Sequence, residues 1–522
     1  MSDTLETLHE KGKHYGMAVM ERVDEAWLDP DLIARLPLDW ARSRLMLPVR
    51  IDGVPALIAH DPDQLQDADD LALMLGCEPA LYLAPASDIK KAIEIAYFNR
   101  SESTGDFLET LKEKQPAEAV PSGNTDDILR VSESAPVAQL VNLILLDAVK
   151  SRASDIHIEP YHNRVQVRFR LDGLLYERHA PPKHMEQALI SRLKVMGHLD
   201  IAEKRLPQDG TARVHVGERE VDIRISTLPV AEGERVVLRL LNRENTLLPL
   251  GELGMPESMR TRLVRVLREP HGIIWVTGPT GSGKTTTLYA ALQELDTERQ
   301  NILTIEDPVE YQLPTISQMG VKPKIGLTFA QGLRHILRQD PDVILVGETR
   351  DLETAEIVVR ASLTGHVVFS TLHTNDAAGA LIRLVDMGIE PFLVAAATRG
   401  ALAQRLVRVL CPSCRQPYVF GESDAERLGL RDPAWVGRTF WRAGSCASCT
   451  EGYHGRIGVF EWLEMNTELQ EIVRSGGRLQ DVQAAAERAG MTTLLDDAIN
   501  KAQQGLTSLE DVVRIVGMAP AP

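Results

Sequence analysis

The 522-residue sequence predicts an α/β protein of several domains, and two observations support that prediction. First, residues 278–285 read GPTGSGKT, which fits the phosphate-binding pattern G-x-x-x-x-G-K-[ST] between an apolar run and a helical segment. Second, three later apolar runs each end in an acid or a histidine, as expected of parallel strands that end at a nucleotide crevice. The pattern therefore favours a protein that binds a nucleotide.

The composition excludes several other classes of protein. Hydrophobic residues make up 44% and charged residues 25%, as in ordinary globular proteins. The first thirty residues scatter charges and lack the apolar core of a secretory signal, and no stretch reaches the roughly 18 apolar residues that cross a bilayer. A net charge of −17 argues against a nucleic-acid surface. These features predict a cytoplasmic protein with no nucleic-acid partner.

Changes in composition along the chain predict its domain boundaries. Residues 1–105 mix apolar runs with acidic stretches, which indicates a small α/β domain with Cys77 in its core. A polar linker follows over 106–128 and contains Pro and Gly without periodicity. Residues 129–247 begin with a helical pattern and continue as alternating strands with an Asp-Gly turn. Residues 248–522 hold the nucleotide-binding pattern.

The phosphate-binding pattern has the context that it needs, because an apolar strand precedes it and a helix follows it. Glycines let backbone N–H groups approach phosphate oxygens, Lys284 reaches the β- and γ-phosphates, and the Thr285 hydroxyl is placed for Mg²⁺. The alternative is a glycine-rich turn with no ligand. The predicted nucleotide-binding residues are Gly278, Pro279, Thr280, Gly281, Ser282, Gly283, Lys284, Thr285 and Thr286.

Acidic residues and one histidine close the later apolar runs. ILTIEDPVE ends in Glu306, Asp307 and Glu310, DVILVGETRD places Glu348, and HVVFSTLHTND places His373. One acid would hold the magnesium shell and another would polarise the attacking water. We therefore predict nucleotide contacts for Glu306 and Asp307. The alternatives are solvated loop carboxylates and an ordinary hydrogen-bonded histidine.

Four of the five cysteines form two Cys-x-x-Cys pairs, Cys411 with Cys414 and Cys446 with Cys449. Two such pairs supply four sulfurs for one tetrahedral Zn²⁺, a closed structural site with no open position for catalysis. We predict a zinc-binding module over residues 408–455. Redox thiols or buried cysteines would account for one pair but not for both.

These segments together resemble the hexameric secretion ATPases of type II secretion and type IV pili. GPTGSGKTTTLY, TIEDPVE, LRQDPDVILVGETRD and TGHVVFSTLHTN are similar to the phosphate loop, Asp box, Walker B and His box of that family, and upstream similarity extends it over about 130–515. The resemblance implies a RecA-like motor domain preceded by a PAS-like domain, with ATP and Mg²⁺ as cofactors. It also implies that Glu310 is the general base, that Glu348 organises Mg²⁺ and that His373 couples the γ-phosphate to the neighbouring sheet.

The same resemblance implies that the upstream domain lends arginines to the phosphates, where a planar cation stabilises transition-state charge. Arg224 and Arg239 lie in the matching segments and are the candidates. Relatives commonly carry Arg directly after PQDG, but Thr211 occupies that position here and the nearest arginine is Arg213. A solvated strand arginine is the alternative at each position.

For function, the resemblance implies a homohexameric ATPase that powers type II secretion through pseudopilus assembly. Its partners would be the cytoplasmic domains of inner-membrane platform proteins, with acidic lipid as a further partner, and the protein would associate peripherally with the inner membrane through them. Zinc inserts of this kind occur in the secretion and pilus-extension branches. The alternatives are a pilus-extension ATPase, a nucleic-acid translocase and a docking scaffold with a vestigial nucleotide site.

Overall fold

The structure, a computed structural model, describes residues 5–33, 36, 38–62, 79–100, 136–216, 219–242, 248–428 and 435–517. The chain divides into two compact units, Met1–Asn245 and Thr246–Pro522. The predicted linker 106–128 and the predicted core residue Cys77 lie outside the described residues. Among the helices that are described, none combines the length and apolarity that crossing a membrane requires.

A small four-stranded sheet forms the core of the N-terminal region. Strands β2 and β3 form an antiparallel hairpin around Asp52 and Gly53, and β3, β4 and β1 run parallel, in the order β1-β4-β3-β2. The strands are β1 (Ala18–Val19), β2 (Met46–Ile51), β3 (Val54–Ala59) and β4 (Ala80–Leu83). The α-helices are Leu5–Tyr15, Pro30–Ile33, Leu38–Arg44 and Ala86–Arg100.

The next region is a six-stranded antiparallel sheet in the order β7-β6-β5-β10-β9-β8. Apolar residues alternate along its strands, so one face packs against two helices, Pro136–Lys150 and Glu186–Met196. The predicted Asp-Gly turn joins β6 to β7 with both residues at positive φ. The strands are β5 (Asp155–Pro160), β6 (Val165–Leu171), β7 (Leu174–His179), β8 (Gln208–Val216), β9 (Arg219–Val230) and β10 (Gly233–Asn242).

A seven-stranded sheet organises the second unit in the order β13-β12-β14-β15-β11-β16-β19. The first six strands are parallel and only β19 is antiparallel, so the carboxyl ends of β12, β14, β15 and β11 lie at one edge. The strands are β11 (Gly272–Thr277), β12 (Ile302–Glu306), β13 (Ser317–Gly320), β14 (Val343–Val346), β15 (Val367–Leu372), β16 (Thr398–Leu410) and β19 (Tyr453–Glu464).

Helices cover this sheet, and a two-stranded sheet is inserted between β16 and β19. The inserted strands are β17 (Gln416–Val419) and β18 (Thr439–Arg442). The predicted fold class is confirmed, since strands and helices alternate around the phosphate-binding segment. The α-helices of this unit are Glu257–Leu267, Lys284–Gln293, Phe329–Ile336, Leu352–Leu363, Ala377–Asp386, Pro391–Ala397, Glu422–Leu428, Thr467–Arg474, Leu479–Arg488, Leu494–Gln503 and Leu509–Val516.

Candidate nucleotide site and metal centre

The predicted phosphate loop connects β11 to the helix Lys284–Gln293, as the sequence context indicates. Gly278 has φ of 150°, and a Cβ there would meet the Gln404 carbonyl oxygen at 2.5 Å, so no larger residue fits. Gly283 is the left-handed N-cap of the helix, with φ of 87°. The loop therefore follows a tight path that directs backbone N–H groups toward an anion at the helix N-terminus.

Lys284 begins that helix and folds back over the loop. Its Nζ donates to the carbonyl oxygens of Gly278 at 2.7 Å and Pro279 at 3.0 Å. Burial, together with the nearby Arg405 cation and against the opposing effect of Glu348, lowers the pKa of Lys284 to about 8. Two cations thus lie near one anion, an arrangement that favours binding a polyphosphate.

Glu348 lies just beyond β14, and its side chain is 15% exposed. Its Oε2 lies 2.6 Å from Arg350 Nε and 3.8 Å from Nε2 of His373, which follows β15. Burial and the charge of Lys284 lower the pKa of His373. The structure therefore brings Lys284, Glu348 and His373 together, although they are far apart in the sequence.

Hydroxyl groups fix the strand ends that carry these residues. The Thr371 hydroxyl donates to the Gly347 carbonyl at 2.7 Å, which ties β15 to the residue before Glu348. The hydroxyls of Thr277 and Thr374 lie 2.6 Å apart, which ties the end of β11 to the residue after His373. These buried bonds hold the site on rigid elements.

The two glutamates of the Asp box have different environments. Glu306 is 4% exposed, and its carboxylate accepts hydrogen bonds from Tyr289, Thr304 and Gln318. Both carboxylate oxygens of Glu306 are thus bonded to side chains, and its predicted nucleotide contact stays a prediction. Glu310 is half-buried on the following loop.

Asp307 was also predicted to contact the nucleotide. It is exposed and precedes a cis peptide bond to Pro308. The phosphate-loop helix contains Thr285 and Thr286 in its first turn, and both are partly exposed. Their position at the helix N-terminus agrees with the predicted contacts to Mg²⁺ and phosphate, which stay predictions.

Sequence reasoning missed Gln404 and Arg405 on β16, which lie directly behind the phosphate loop. Arg405 Nη2 donates to the Asn375 carbonyl at 3.0 Å, and burial lowers its pKa. The Gln404 amide oxygen accepts from the Thr287 hydroxyl at 2.7 Å. A polar pair that interrupts the apolar run ALAQRLV was the available signal.

Arg224 and Arg239 are directly paired on β9 and β10 of the antiparallel sheet, so they share one face. Arg239 Nε donates to Asp155 at 3.0 Å. Thr211 of β8 is paired with Arg224 across the opposite edge of β9. Thr211, Arg224 and Arg239 therefore form one row across the sheet. Arg213 ion-pairs with Asp222 at 3.0 Å instead. This row belongs to the first unit, and its predicted role at phosphates stays a prediction.

The four predicted cysteine ligands come together, with sulfurs within 4.8 Å of one another. Cys411 and Cys446 sulfurs are 3.7 Å apart, as are those of Cys414 and Cys449. Tetrahedral Zn–S bonds of about 2.3 Å place sulfurs about 3.8 Å apart, so the cluster fits zinc. The Ser448 backbone N–H helps lower the pKa of Cys446 to about 7, whereas burial and the neighbouring thiols raise the pKa of Cys414 to about 12, so the first proton leaves the cluster at Cys446.

The two strand ends that lead into and out of this cysteine module lie close to the last described helix, Leu509–Val516. Asp511 is fully buried and accepts from the backbone N–H of Arg408 at 2.7 Å and from its Nε at 2.8 Å. The Arg408 guanidinium also stacks 3.7 Å from the Tyr453 ring. Both strands that frame the module are therefore tied to the C-terminal helix.

Comparison with known families gives one match over most of the chain. The family described as "Type II/IV secretion system protein" matches residues 130–514, which include every motif of the site. The chain belongs to this family. The "MshEN domain" matches residues 17–102, which cover the four-stranded N-terminal sheet. The family resemblance drawn from the sequence motifs is thereby confirmed.

Individual curated proteins are also similar in sequence to this family member. It is 51% identical over 400 residues to "Type II secretion system protein E" of Pseudomonas aeruginosa, covering 76% of this chain and 79% of the relative. It is 50% identical to "Type II secretion system ATPase E" of Vibrio cholerae, covering 76% and 78%. It is 42% identical to "Type IV pilus assembly ATPase PilB" of Myxococcus xanthus, covering 96% and 89%.

Solved structures show the same fold at lower identity. The ATPase DotB of Legionella pneumophila matches with a TM-score of 0.52 and 21% identity, covering 71% of this chain and 94% of that one. DotB of Yersinia pseudotuberculosis matches with a TM-score of 0.54 and 21% identity, covering 73% and 93%. Both support the fold of this family member.

Proposed function

We propose that this protein is a P-loop ATPase that hydrolyses ATP to power protein export by a type II secretion system. The observation that carries the proposal is the meeting of Lys284, Glu348 and His373 at the carboxyl ends of adjacent parallel strands. Such a crevice binds nucleotide phosphates in this class of sheet. The relatives named as type II secretion proteins support the choice of process.

Each group of the crevice has a distinct role in the proposed reaction. Lys284 and Arg405 neutralise the phosphates, and Glu310 accepts or orients the proton of the attacking water. Bound Mg²⁺ supplies charge neutralisation between the β- and γ-phosphates. Thr285 and Glu348 are the residues that would hold it, because a hydroxyl and a carboxylate are oxygen donors of the kind that Mg²⁺ prefers.

The remaining assignments follow from the family and are proposals for this chain. A homohexamer would place Arg224 and Arg239 of the first unit at a nucleotide. The N-terminal sheet domain would dock on the cytoplasmic part of an inner-membrane platform protein, with acidic lipid nearby. The protein would then work in the cytoplasm at the inner membrane, and zinc in the cysteine cluster would stabilise a docking module.

A second candidate is the assembly of type IV pili. The relative named as a pilus assembly ATPase covers 96% of this chain, more than the secretion proteins at higher identity do. The two processes share the proposed ATPase chemistry. They differ only in the partner that the motor moves.

The proposed function is tested with purified full-length protein. ATPase turnover is measured alone, with the cytoplasmic domain of a secretion platform protein plus acidic vesicles, with the equivalent pilus platform domain, and with DNA. Stimulation by the secretion domain supports the proposal, and stimulation by the pilus domain alone favours the second candidate. Stimulation by DNA alone would identify a translocase and refute both.

A further inference from the structure

A buried polar cluster, made of Tyr289, Thr304, Glu306 and Gln318, lies beside the loop that carries Glu310. Its members come from the phosphate-loop helix and from β12 and β13. Tyr289 and Thr304 have no exposed surface, and Glu306 is 4% exposed. A polar group buried this deeply is stable only when its hydrogen bonds are made. The hydrogen-bond partners within the cluster therefore indicate which groups it holds in place.

The cluster is connected through the Glu306 carboxylate. Tyr289 donates its hydroxyl hydrogen to Glu306 Oε2, and the Thr304 hydroxyl donates to Oε1 at 2.6 Å. Gln318 Nε2 lies 3.2 Å from Glu306 Oε1 and 3.3 Å from the Tyr289 hydroxyl oxygen. The hydroxyl of Tyr289 is therefore held in one orientation, because its hydrogen points to Glu306 and its oxygen accepts from Gln318.

This cluster also contacts the loop of the proposed general base. The rings of Tyr289 and Tyr311 pack edge to face with centroids 6.2 Å apart, so the phosphate-loop helix contacts the residue directly after Glu310. Gln318 adds two more contacts, since its Nε2 donates to the Tyr311 carbonyl at 3.0 Å and its Oε1 accepts from the Leu313 N–H at 2.7 Å. The loop is thus fixed at Tyr311 and Leu313 by side chains of neighbouring elements.

We propose that the Tyr289 hydroxyl, acting through Gln318, is a positioning group for hydrolysis, which fixes the loop that carries Glu310 relative to the phosphate loop. Tyr289 lies on the same helix as Lys284, so one rigid element holds both the phosphate-binding cation and the loop of the base. Glu306 and Gln318 keep that hydroxyl in place. The inference rests on the proposed role of Glu310 in orienting the attacking water.

The substitution Tyr289→Phe tests the proposal, because it removes only the hydroxyl. We expect kcat to fall about tenfold while KM for ATP stays within about twofold, since the base is misplaced and the phosphate loop is unchanged. The matched control is Thr398→Val, which removes another buried hydroxyl of the same sheet, an acceptor for Trp275 Nε1 at 3.2 Å. The control should lose comparable thermal stability and keep kcat.

A double-mutant cycle separates positioning from general stability. If Tyr289 acts through Glu310, then Tyr289→Phe should lower kcat no further in a Glu310→Gln background. An equal loss in both backgrounds, or wild-type kcat in Tyr289→Phe, overturns the inference and leaves the ATPase proposal intact. Wild-type turnover in Glu310→Gln refutes the proposed role of the base itself. If Tyr289→Phe does not fold, Gln318→Met tests the same contact with the loop, with the same two readouts.

Discussion

The nucleotide crevice and the cysteine module lie in the same unit but are held together differently. The crevice is formed by the ends of long, buried, parallel strands, and hydrogen bonds between those strands fix it. The described part of the cysteine module contains the two-stranded sheet of β17 and β18 and one short helix, Glu422–Leu428. In the described part of 411–453, the buried apolar side chains are Cys411, Phe420, Phe440 and Tyr453.

This difference indicates that the cysteine module, unlike the crevice, depends on a bound ligand for its fold. The crevice keeps its geometry through burial of a large sheet, so nucleotide adds chemistry to a structure that already exists. The described part of the cysteine module buries few side chains, of which Phe420 and Phe440 belong to the core of the whole unit, so we expect metal binding to supply much of the free energy that holds the two cysteine pairs together. Substitutions in the crevice should therefore change turnover, and substitutions in the module should change local structure.

The substitution Lys284→Ala should have the largest effect on turnover. It removes the cation that folds over the phosphate loop, and the loss of phosphate neutralisation should reduce hydrolysis to the level of a protein-free control. Steady-state ATPase assays give the rate, and circular dichroism confirms that the fold is kept. Wild-type turnover in this variant would refute the motor assignment.

The substitution Glu310→Gln should come next, with ATP binding kept and kcat reduced by about 10²-fold or more. A neutral amide keeps the shape of the side chain but no longer accepts the proton of water. Nucleotide titration and single-turnover assays separate the two quantities. If Glu348→Gln alone behaved in this way and Glu310→Gln stayed active, the proposed roles of the two acids would be exchanged.

The substitution Cys414→Ser should reduce basal turnover only a little, in contrast to the crevice variants. We expect loss of about one zinc per chain and faster proteolysis within 408–455, because one ligand of a closed tetrahedral site is missing. Secretion in cells should fall more than ATPase activity. Metal analysis checks the ligand set, and Cys77→Ser, which changes the fifth cysteine outside both pairs, is the matched control and should retain zinc.

Full zinc retention in Cys414→Ser would refute the proposed ligand set. Complete loss of hydrolysis in a variant that still folds would instead refute the division between the crevice and the module.

The smallest expected effect is a change in proton uptake with pH. Burial holds the pKa of Lys284 at about 8, and phosphate anions raise the pKa of a nearby lysine, so ATP binding at pH 9 should take up about one proton. At pH 6.5 the lysine is already protonated and should take up almost none. Calorimetry in two buffers with different ionisation heats measures the uptake. Lys284→Arg should abolish it, because arginine stays charged at both pH values, and equal uptake in that variant would contradict the assignment.

The fold around the phosphate loop could be predicted from sequence because glycine spacing and apolar runs are local signals. The meeting of Lys284, Glu348 and His373 also followed, since parallel strands end at one edge. The different environments of Glu306 and Glu310 could not be predicted, because hydrogen-bond partners such as Tyr289 depend on packing. Arg405 was missed for the same reason, since only the pairing of β16 with β11 brings it to the loop.

The hydrogen bonds between Asp511 and Arg408 make the start of the cysteine module depend on the last described helix. Asp511 is the buried acceptor for both the backbone and the side chain of Arg408, which lies just ahead of Cys411 on β16. A chain shortened before Ser508 would leave Arg408 without that acceptor, although every cysteine remained. A C-terminal truncation would thus loosen the start of the cysteine module while leaving all four proposed metal ligands in the chain.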